Sequence, residues 1–506
     1  MRVAKRLVSN TIYLFLSWFS ISVLNFTYWI LIGKNLPPAS YGIVATGMQI
    51  IMLLSGLSVL GMTNALNKLI PELLTKNKKA QAQGSINYAL KITTTLSLIF
   101  AVSLFLLSPV LSSRLKLPAT ALRIVSVTVV FFSLANLTGT VYYGLQDMKG
   151  LFLTNFFRQA MKVTVAGILI LLAFDYLGPL TAVLVASLLT FLVRLPKCRI
   201  HHESSVNKKL IFSYALPAFT VTILSLIYNN TGLILLNSLK SSAQSGLYGL
   251  AAMLSGAVSA IPNVLTSALF PITSSLSAFQ AKKRQSYLIK LVFRYAFFIA
   301  LPIAFLWSYF AKYLILFFSK PAYLPATQLV PLLVVSNIFY GLGLLFLSSL
   351  YAIGKPKHYR NVYAVTVAVY LLTAPVLVHY YAAKGLATAM IISNFVLFLS
   401  AFSVLRKFLS IELNLKDLGK ITFSALLAFA LLLLVRPYIH NFYLAFVAVL
   451  LDALIYLLIL LKLNFYLKED LKILKIVYEK TGWNFLAKFI AWFSNYTKRS
   501  YTTDKA

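Results

Sequence analysis

Residues 329–352 read LVPLLVVSNIFYGLGLLFLSSLYA, a stretch without a charged side chain. As an α-helix rising about 1.5 Å per residue it would be about 36 Å long. That length crosses a hydrocarbon core of about 30 Å. Its apolar residues do not alternate with polar ones, which favours a helix over a strand of a membrane barrel. The stretch therefore predicts a transmembrane helix.

The rest of the chain repeats this pattern. The 506 residues are 60% hydrophobic and only 11% charged, and the mean hydropathy is +0.83. A soluble protein of this size needs a larger charged surface. Apolar blocks of about 18–26 residues predict an all-α polytopic membrane protein with about fourteen spans. The predicted spans are 10–32, 43–66, 88–110, 121–143, 151–173, 178–195, 211–236, 246–270, 290–318, 329–352, 359–381, 384–405, 418–436 and 441–462.

The basic residues are distributed unevenly between the predicted loops. A net charge of +35 would suggest nucleic acid as the partner of a soluble protein. When the spans alternate in direction, however, 35 Lys and Arg residues fall on the side of the N-terminus, nine on the other side, and Lys91 and Lys162 within spans. This asymmetry follows the positive-inside rule. We therefore expect a multi-pass protein of the cell membrane with both termini in the cytoplasm, an uncleaved first helix, and no nucleic-acid partner.

The chain shows signs of an internal duplication. At an offset of about 207 residues, Tyr41-Gly42 aligns with Tyr248-Gly249, and Gly178 aligns with Gly385. Two units of six spans each would be parallel repeats, with the substrate site between them. The predicted divisions are an N-terminal six-helix lobe at 1–200, a C-terminal six-helix lobe at 201–410, two appended transmembrane helices at 411–463, and a cytoplasmic basic tail at 464–506. Within the tail, the aromatic segment 483–496 is too short to cross and suits a helix on the membrane surface; the alternative is a frayed basic tail.

Several stretches resemble polysaccharide flippases. They are GKNLPPASYG at 33–42, SYALPAFTVTILSLIYNNTGLILLNSLKSSAQSGLYGLAAML at 213–254, LYAIGKPKHYRN at 350–361 and AAKGLATAMIIS at 382–393. The resemblance spans roughly residues 5–410. It implies the fold of the multidrug/oligosaccharidyl-lipid/polysaccharide exporter superfamily. It also implies the movement of a polyprenyl-diphosphate-linked oligosaccharide from the cytoplasmic to the outer leaflet by alternating access between two lobes.

The position of the acidic residues bears on the sign of the substrate's charge. Of eleven acidic residues none lies mid-span in the predicted twelve-helix core, and Asp452 alone is mid-membrane, in the appended last span. A cationic substrate usually requires a carboxylate inside the membrane, because an unpaired charge there is costly. This pattern disfavours an exporter of cationic drugs.

Basic side chains, in contrast, do occur within or near the predicted spans. Two pairs, Arg158/Lys162 and Lys290/Arg294, are spaced i,i+4 and share a helix face, where an anion such as pyrophosphate would relieve their repulsion. For each, the alternative is snorkelling to the headgroups, which is hardest for the deep Lys162. The candidate cationic residues are Arg158, Lys162, Arg123, Lys91, Arg294 and Lys290.

Helices 1, 2, 7 and 8, which usually line the cavity in the resembled family, carry amides here. We expect Asn25, Asn229 and Asn230 to bind sugar hydroxyls, and the alternative is that they hold helices together. Lipid II flippases have arginines in these helices, and this chain departs from that pattern.

The sequence contains no catalytic or cofactor motif. There is no Walker-type phosphate-binding loop, and one cysteine with five unclustered histidines predicts no metal site. We therefore expect a transporter rather than an enzyme, without cofactors, in contact with membrane lipids and with the glycosyltransferases and polymerase of the same pathway. The alternatives are a small-molecule exporter of the same superfamily and a membrane scaffold, polymerase or ligase.

Overall fold

The computed structural model describes residues 2–439, 441–463, 465 and 479. Across these residues the secondary structure is helical and no strand occurs, so the predicted all-α fold class is confirmed. The predicted surface helix at 483–496 lies outside the described residues. The α-helices are α1 (Arg2–Asn35), α2 (Pro38–Val59), α3 (Met62–Thr75), α4 (Lys79–Leu106), α5 (Ser108–Leu115), α6 (Ala119–Gly144), α7 (Met148–Leu171), α8 (Leu177–Arg194), α9 (Lys208–Asn230), α10 (Gly232–Leu239), α11 (Ser242–Ala278), α12 (Lys282–Phe318), α13 (Val330–Ala352), α14 (Pro356–Arg406), α15 (Leu415–Val435) and α16 (Phe442–Lys462).

Eleven helices of the described chain are long and apolar enough to span a membrane, and α11, bent by 41° near Pro262, makes a twelfth. Helix α14 has 51 residues, which is about 77 Å at 1.5 Å per residue. Its backbone leaves helical geometry at Ala382, where φ is 50° and ψ is −129°. This break falls between the predicted spans 359–381 and 384–405. The total of fourteen spans stays a prediction.

Two predicted spans differ from the structure. The second, 43–66, is interrupted at Leu60 and Gly61, which both have left-handed backbone conformation and separate α2 from α3. The seventh, 211–236, is interrupted at Thr231, between α9 and α10. Hydropathy continues across both breaks because it averages side chains and is insensitive to a local change of backbone direction.

The helices pack in two groups. In the first group, α1–α8, helix α7 packs on α1 and α8, and α6 packs on α2, α4 and α8. In the second group, α9–α14, helix α13 packs on α11, α12 and α14. The groups meet where α2 crosses α11 and where α3 contacts α9, and α15 joins α12 to α16. The boundaries of the four predicted divisions of the chain remain predictions.

One contact recurs in both groups. A Cβ at Gly178, near the start of α8, would lie 3.0 Å from Leu169 Cβ and 3.4 Å from Ile170 N. A Cβ at Gly385 would lie 1.8 Å from Leu377 O and 2.9 Å from Val378 N. The two glycines align in the predicted duplication, and each keeps its helix against the end of the helix before it.

Candidate functional site

A cavity of about 580 Å³ lies between the two helix groups. Its wall comes from α1 and α2 on one side and from α9, α10, α11, α13 and α14 on the other. In the described part of the chain this wall contains no Lys, Arg, Asp or Glu. Five side-chain amides and six aromatic rings contribute to it: Asn25, Gln49, Asn229, Asn337 and Asn394, and Phe26, Trp29, Tyr41, Tyr228, Tyr248 and Tyr340.

The polar groups of this wall are held by neighbouring helices. Asn337 donates from Nδ2 to the Ser255 carbonyl at 3.0 Å. Asn394 accepts at Oδ1 from the Tyr228 hydroxyl at 2.6 Å. Gln49 instead has its Oε1 atom buried without a hydrogen-bond partner among the described residues. Rings beside amides offer apolar faces together with donors and acceptors, a lining that suits a ligand rich in hydroxyl groups.

Lys162 lies just behind this wall. Its side chain is 6% exposed, and Nζ donates to Asn25 Oδ1 at 2.8 Å and lies 4.4 Å from the centre of the Tyr28 ring. The Tyr28 hydroxyl in turn donates to the Pro179 carbonyl at 3.0 Å. Lys162 therefore acts on the cavity through Asn25, which lines it.

Arg158, one turn earlier on α7, has a separate set of partners. It donates from one terminal nitrogen to Asn136 Oδ1 at 2.8 Å, and its guanidinium stacks 4.3 Å from the centre of the Phe132 ring. The other terminal nitrogen lies 3.4 Å from Ser187 Oγ. The structure thus places both basic residues of the predicted Arg158/Lys162 pair inside the first helix group, each on neutral acceptors, rather than on the wall of the central cavity.

The other candidates lie in different places. Lys91 is exposed, and Arg123 is exposed against Phe105 with Nε 3.4 Å from Ser108 Oγ. Lys290 is half-buried in a recess that Glu412 shares. Arg294 is 7% exposed, pairs with Asp417 at 3.7 Å and donates to the Phe465 carbonyl at 2.8 Å.

Arg294 therefore joins α12 to α15 and to the chain beyond α16. This differs from the expectation that Lys290 and Arg294 share an anion. The sequence did not reveal it because the carbonyl that Arg294 contacts lies 171 positions away.

The two asparagines at the end of α9 differ in exposure and in position relative to the cavity. Asn229 is exposed, lines the cavity, and donates to the Ser225 carbonyl of its own helix at 2.8 Å. Asn230 is buried and donates to the Leu226 carbonyl at 2.9 Å. Of the three predicted amides, Asn25 and Asn229 reach the cavity wall.

The sequence pattern did not mark Arg194 as a candidate site residue. It is 1% exposed at the end of α8, donates to Thr154 and Asn155 of α7, and donates to the Ala135 carbonyl of α6 at 2.8 Å. The sequence pattern assigned it to the basic loop that follows α8. The available signal was the polar pair Thr154 and Asn155 in the predicted span 151–173, about 40 positions earlier in the sequence.

The two ends of the molecule differ in how the helix groups meet. We call the end with loops 195–207 and 353–355 the basic-loop face. Here a vestibule of about 920 Å³ is lined by α3, α9, α11, α13 and α14, with the exposed side chains of Asn64, Lys357 and Arg360 among its residues.

The opposite face is closed by hydrogen bonds between the groups. Lys116 donates to the Lys240 carbonyl at 2.8 Å, and Asn237 donates to the Leu115 carbonyl at 2.5 Å. The Tyr323 hydroxyl donates to the Leu36 carbonyl at 3.0 Å. In this conformation the second group donates hydrogen bonds to carbonyls at the C-terminal ends of α1 and α5, where helical carbonyls have no partner within their own helix.

Comparison with known proteins gives both a family and a fold. Residues 7–277 match a family model described as polysaccharide biosynthesis protein. The uncharacterized membrane protein MJ1068 of Methanocaldococcus jannaschii is 23% identical over 425 residues, which cover 78% of this chain and 83% of the relative.

Among solved structures, the fold is similar to the lipid II flippase MurJ in an inward closed conformation. The TM-score is 0.71 at 16% identity, and the match covers 89% of this chain and 98% of the other. The inward-facing conformation of a multidrug resistance MATE family transporter of the MOP superfamily is also similar. Its TM-score is 0.63 at 16% identity, over 77% of this chain and 96% of that transporter.

Proposed function

Because this chain belongs to the polysaccharide biosynthesis protein family, we propose that it is a flippase for a polyprenyl-diphosphate-linked oligosaccharide. The proposed movement is from the cytoplasmic to the outer leaflet of the cell membrane, with both termini in the cytoplasm. The glycosyltransferases and polymerase of the same pathway would supply the substrate and consume the product.

The observation that carries the proposal is the chemistry of the central cavity. Its amides and rings suit the hydroxyls and apolar faces of sugars, and no carboxylate lines it within the described residues. The buried Lys162 contacts Asn25 of the cavity wall, and the half-buried Arg158 lies one turn earlier on α7. An anionic lipid-linked sugar matches this arrangement, whereas a cationic drug would meet positive charge without a counter-ion.

The proposed mechanism is alternating access. The open vestibule at the basic-loop face would admit the headgroup, and the contacts of Lys116, Asn237 and Tyr323 close the other face. Breaking those contacts and closing the vestibule would expose the cavity on the other side. These bonds end on backbone carbonyls, so each can be exchanged for water at modest cost.

The membrane potential would assist this movement. Outward transfer of negative charge from a negative interior is favourable by about 2.3 kcal/mol per charge per 100 mV. We therefore propose potential-assisted flipping without an obligatory coupled cation. An absolute requirement for sodium or protons in the flux assay described below would contradict this part of the proposal.

The test is reconstitution of the full chain in proteoliposomes with a fluorescent polyprenyl-diphosphate oligosaccharide. We expect protein-dependent movement of this lipid between leaflets, and no protein-dependent flux of a cationic dye. A chain that moves the dye and leaves the lipid in place is a small-molecule exporter instead. Complementation of a flippase-null strain gives the same comparison in cells.

A further inference from the structure

Arg194 borders a second, smaller pocket of about 240 Å³ within the first helix group. Its polar lining includes Asn67 of α3, Asn136 and Thr140 of α6, and Asn155 of α7, and no acidic residue among those described contributes to it. The volume equals that of about eight water molecules at about 30 Å³ each. It therefore has room for a phosphoryl or diphosphoryl group.

The charge of Arg194 is uncompensated in the described structure. Its hydrogen bonds go to a hydroxyl, an amide oxygen and a carbonyl, all of them neutral. The ion pairs of the described chain involve other basic residues. A buried cation with only neutral acceptors is costly, and an anion in the pocket would offset that cost.

A second guanidinium acts on the same pocket. Arg158 holds the Asn136 oxygen, and this fixes the orientation of the Asn136 amide. The amide nitrogen of Asn136 then remains as a donor, because a primary amide carries two N–H groups on the other atom. The lining thus combines N–H donors with positive charge from two arginines, the combination that suits phosphate oxygens.

Because Gly139 has no side chain, the guanidinium of Arg194 is accessible from the pocket. A Cβ at position 139 would lie 2.6 Å from the Nη1 atom of Arg194. Any larger residue would push the guanidinium away or cover it. The absent side chain leaves Nη1 at the pocket wall, and that nitrogen uses one of its two hydrogens for the Ala135 carbonyl.

The pocket lies next to the route of entry. Asn67 lines it, while Asn64, one turn earlier on the exposed face of α3, lines the vestibule at the basic-loop face. A headgroup in the vestibule is therefore one helical turn from Asn67, about 5 Å along the axis.

We propose that this pocket binds the diphosphate of the lipid-linked substrate before the sugars enter the central cavity. The inference rests on the proposed function and assigns the two parts of the substrate to separate sites. The diphosphate is held among Arg194, Asn136 and Asn67, and the oligosaccharide lies among the amides and rings of the neutral cavity.

The test uses purified full-length protein in detergent and farnesyl diphosphate, a short polyprenyl diphosphate, as the probe. Asn67→Asp places a carboxylate at the exposed edge of the pocket without disturbing a buried contact. The matched control is Asn77→Asp, which adds the same charge at an exposed position just after α3, outside both the pocket and the vestibule. We expect binding about tenfold weaker in Asn67→Asp, from repulsion between like charges at close range. In Asn77→Asp, ten residues further along the chain, we expect a change of less than about twofold, because screening weakens interactions beyond about 8–10 Å. Gly139→Ala should weaken binding in the same direction.

Competition identifies the source of the anion. Inorganic pyrophosphate should displace farnesyl diphosphate, and farnesol should not. Displacement by phosphatidylglycerol at equal strength would overturn the proposal in favour of a general headgroup site, and equal binding by the two aspartate variants would overturn it outright. If the wild type flips the lipid while Asn67→Asp binds normally, this subsite fails and the proposed function stands. If Asn67→Asp loses binding and the wild type flips nothing, the proposed function fails and the anion pocket stands.

Discussion

Gly42 of α2 and Gly246 of α11 allow the two helix groups to meet backbone to backbone. A Cβ at Gly42 would lie 1.7 Å from the Ser242 carbonyl oxygen and 2.8 Å from Gly246 N, and one at Gly246 would lie 1.9 Å from the Pro38 carbonyl oxygen. Small residues permit this kind of close crossing between membrane helices. The crossing lies near the closed face, so it belongs to the conformation in which the vestibule is open.

Gly42→Ala should destabilise this conformation selectively. Overpacking of a close contact costs about 1–3 kcal/mol, which shifts a two-state equilibrium about 5–150-fold. The background for the test carries Cys198→Ser and Asn229→Cys. In this background, Gly42→Ala should speed the reaction of the thiol at position 229 with an impermeant thiol reagent added at the face opposite the basic-loop face. Gly419→Ala is the control, because a Cβ there meets no atom within 4 Å. Unchanged labelling in Gly42→Ala would show that the crossing does not distinguish the two states.

The Lys162–Asn25 hydrogen bond should contribute to stability through its charge. Asn25→Leu leaves a buried ammonium without its acceptor, and a hydrogen bond to a charged group is worth about 1.5–3 kcal/mol. The thermal midpoint in detergent should fall, and adding Lys162→Met should restore part of the loss, because no charge then needs an acceptor. Asn229→Leu, an exposed amide, should change the free energy of unfolding by about 0.5 kcal/mol or less. Additive losses in the double variant would contradict this account.

Gln49 offers a test of the sign of the transported charge. Gln49→Glu adds a carboxylate to the neutral cavity, and Gln49→Met keeps the length of the side chain without charge. The diphosphate would pass this carboxylate when it leaves its own pocket and crosses the cavity during flipping, and unit charges 4–8 Å apart repel by about 2–4 kcal/mol at an effective dielectric constant near 20. The initial rate of lipid flipping should therefore fall more than about tenfold in Gln49→Glu relative to Gln49→Met. Equal rates in the two variants would remove the electrostatic argument for an anionic substrate.

Asp147 should stabilise the basic-loop end of α7. It accepts from the Gly150 amide at 3.0 Å as the cap of α7 and pairs with Lys197 after α8. Partial burial raises the pKa of this carboxyl, but the hydrogen bonds from Lys197 and Gly150 outweigh it, and the net shift of the pKa is downward.

A lowered pKa gives stabilisation that is complete above the ordinary value of about 3.9 and is lost as pH falls through the folded value. Asp147→Ala should cost about 1 kcal/mol at pH 7, and the gap to the wild type should shrink below about pH 3.9. Glu72→Ala, which breaks an exposed pair with Lys76, should change little. Thermal unfolding across this pH range measures both, and a gap that grows toward acid would refute the assignment.

Arg294 should be structural and Lys290 dispensable. Arg294→Gln leaves the half-buried carboxylate of Asp417, which is 14% exposed, without its partner. Breaking a fully buried pair costs about 3–5 kcal/mol, and the cost here should approach the lower end of that range. The thermal midpoint should fall strongly in Arg294→Gln and little in Lys290→Gln. Farnesyl diphosphate binding should be unchanged in Lys290→Gln. Loss of binding in that variant would show that the recess around Lys290 takes part in binding the diphosphate.

The sequence by itself determined the fold class, the polysaccharide biosynthesis family and the approximate positions of most spans. These properties depend on the average apolarity of about twenty neighbouring residues and on local motifs such as residues 33–42. The absence of acidic residues from the middle of the core spans was also visible there, because charge in a membrane is costly at any position along a helix.

Only the tertiary structure decided which basic residues lie inside the protein and what they contact. Lys162 meets Asn25 across 137 positions, Arg294 meets Phe465 across 171, and Arg194 turns inward at the end of a helix whose neighbours in sequence form a basic loop. The breaks at Leu60–Gly61 and at Thr231 depended equally on tertiary structure. Hydropathy is an average over residues that are neighbours in the sequence. The acceptor of a buried cation, in contrast, comes from whichever helix packs beside it in space.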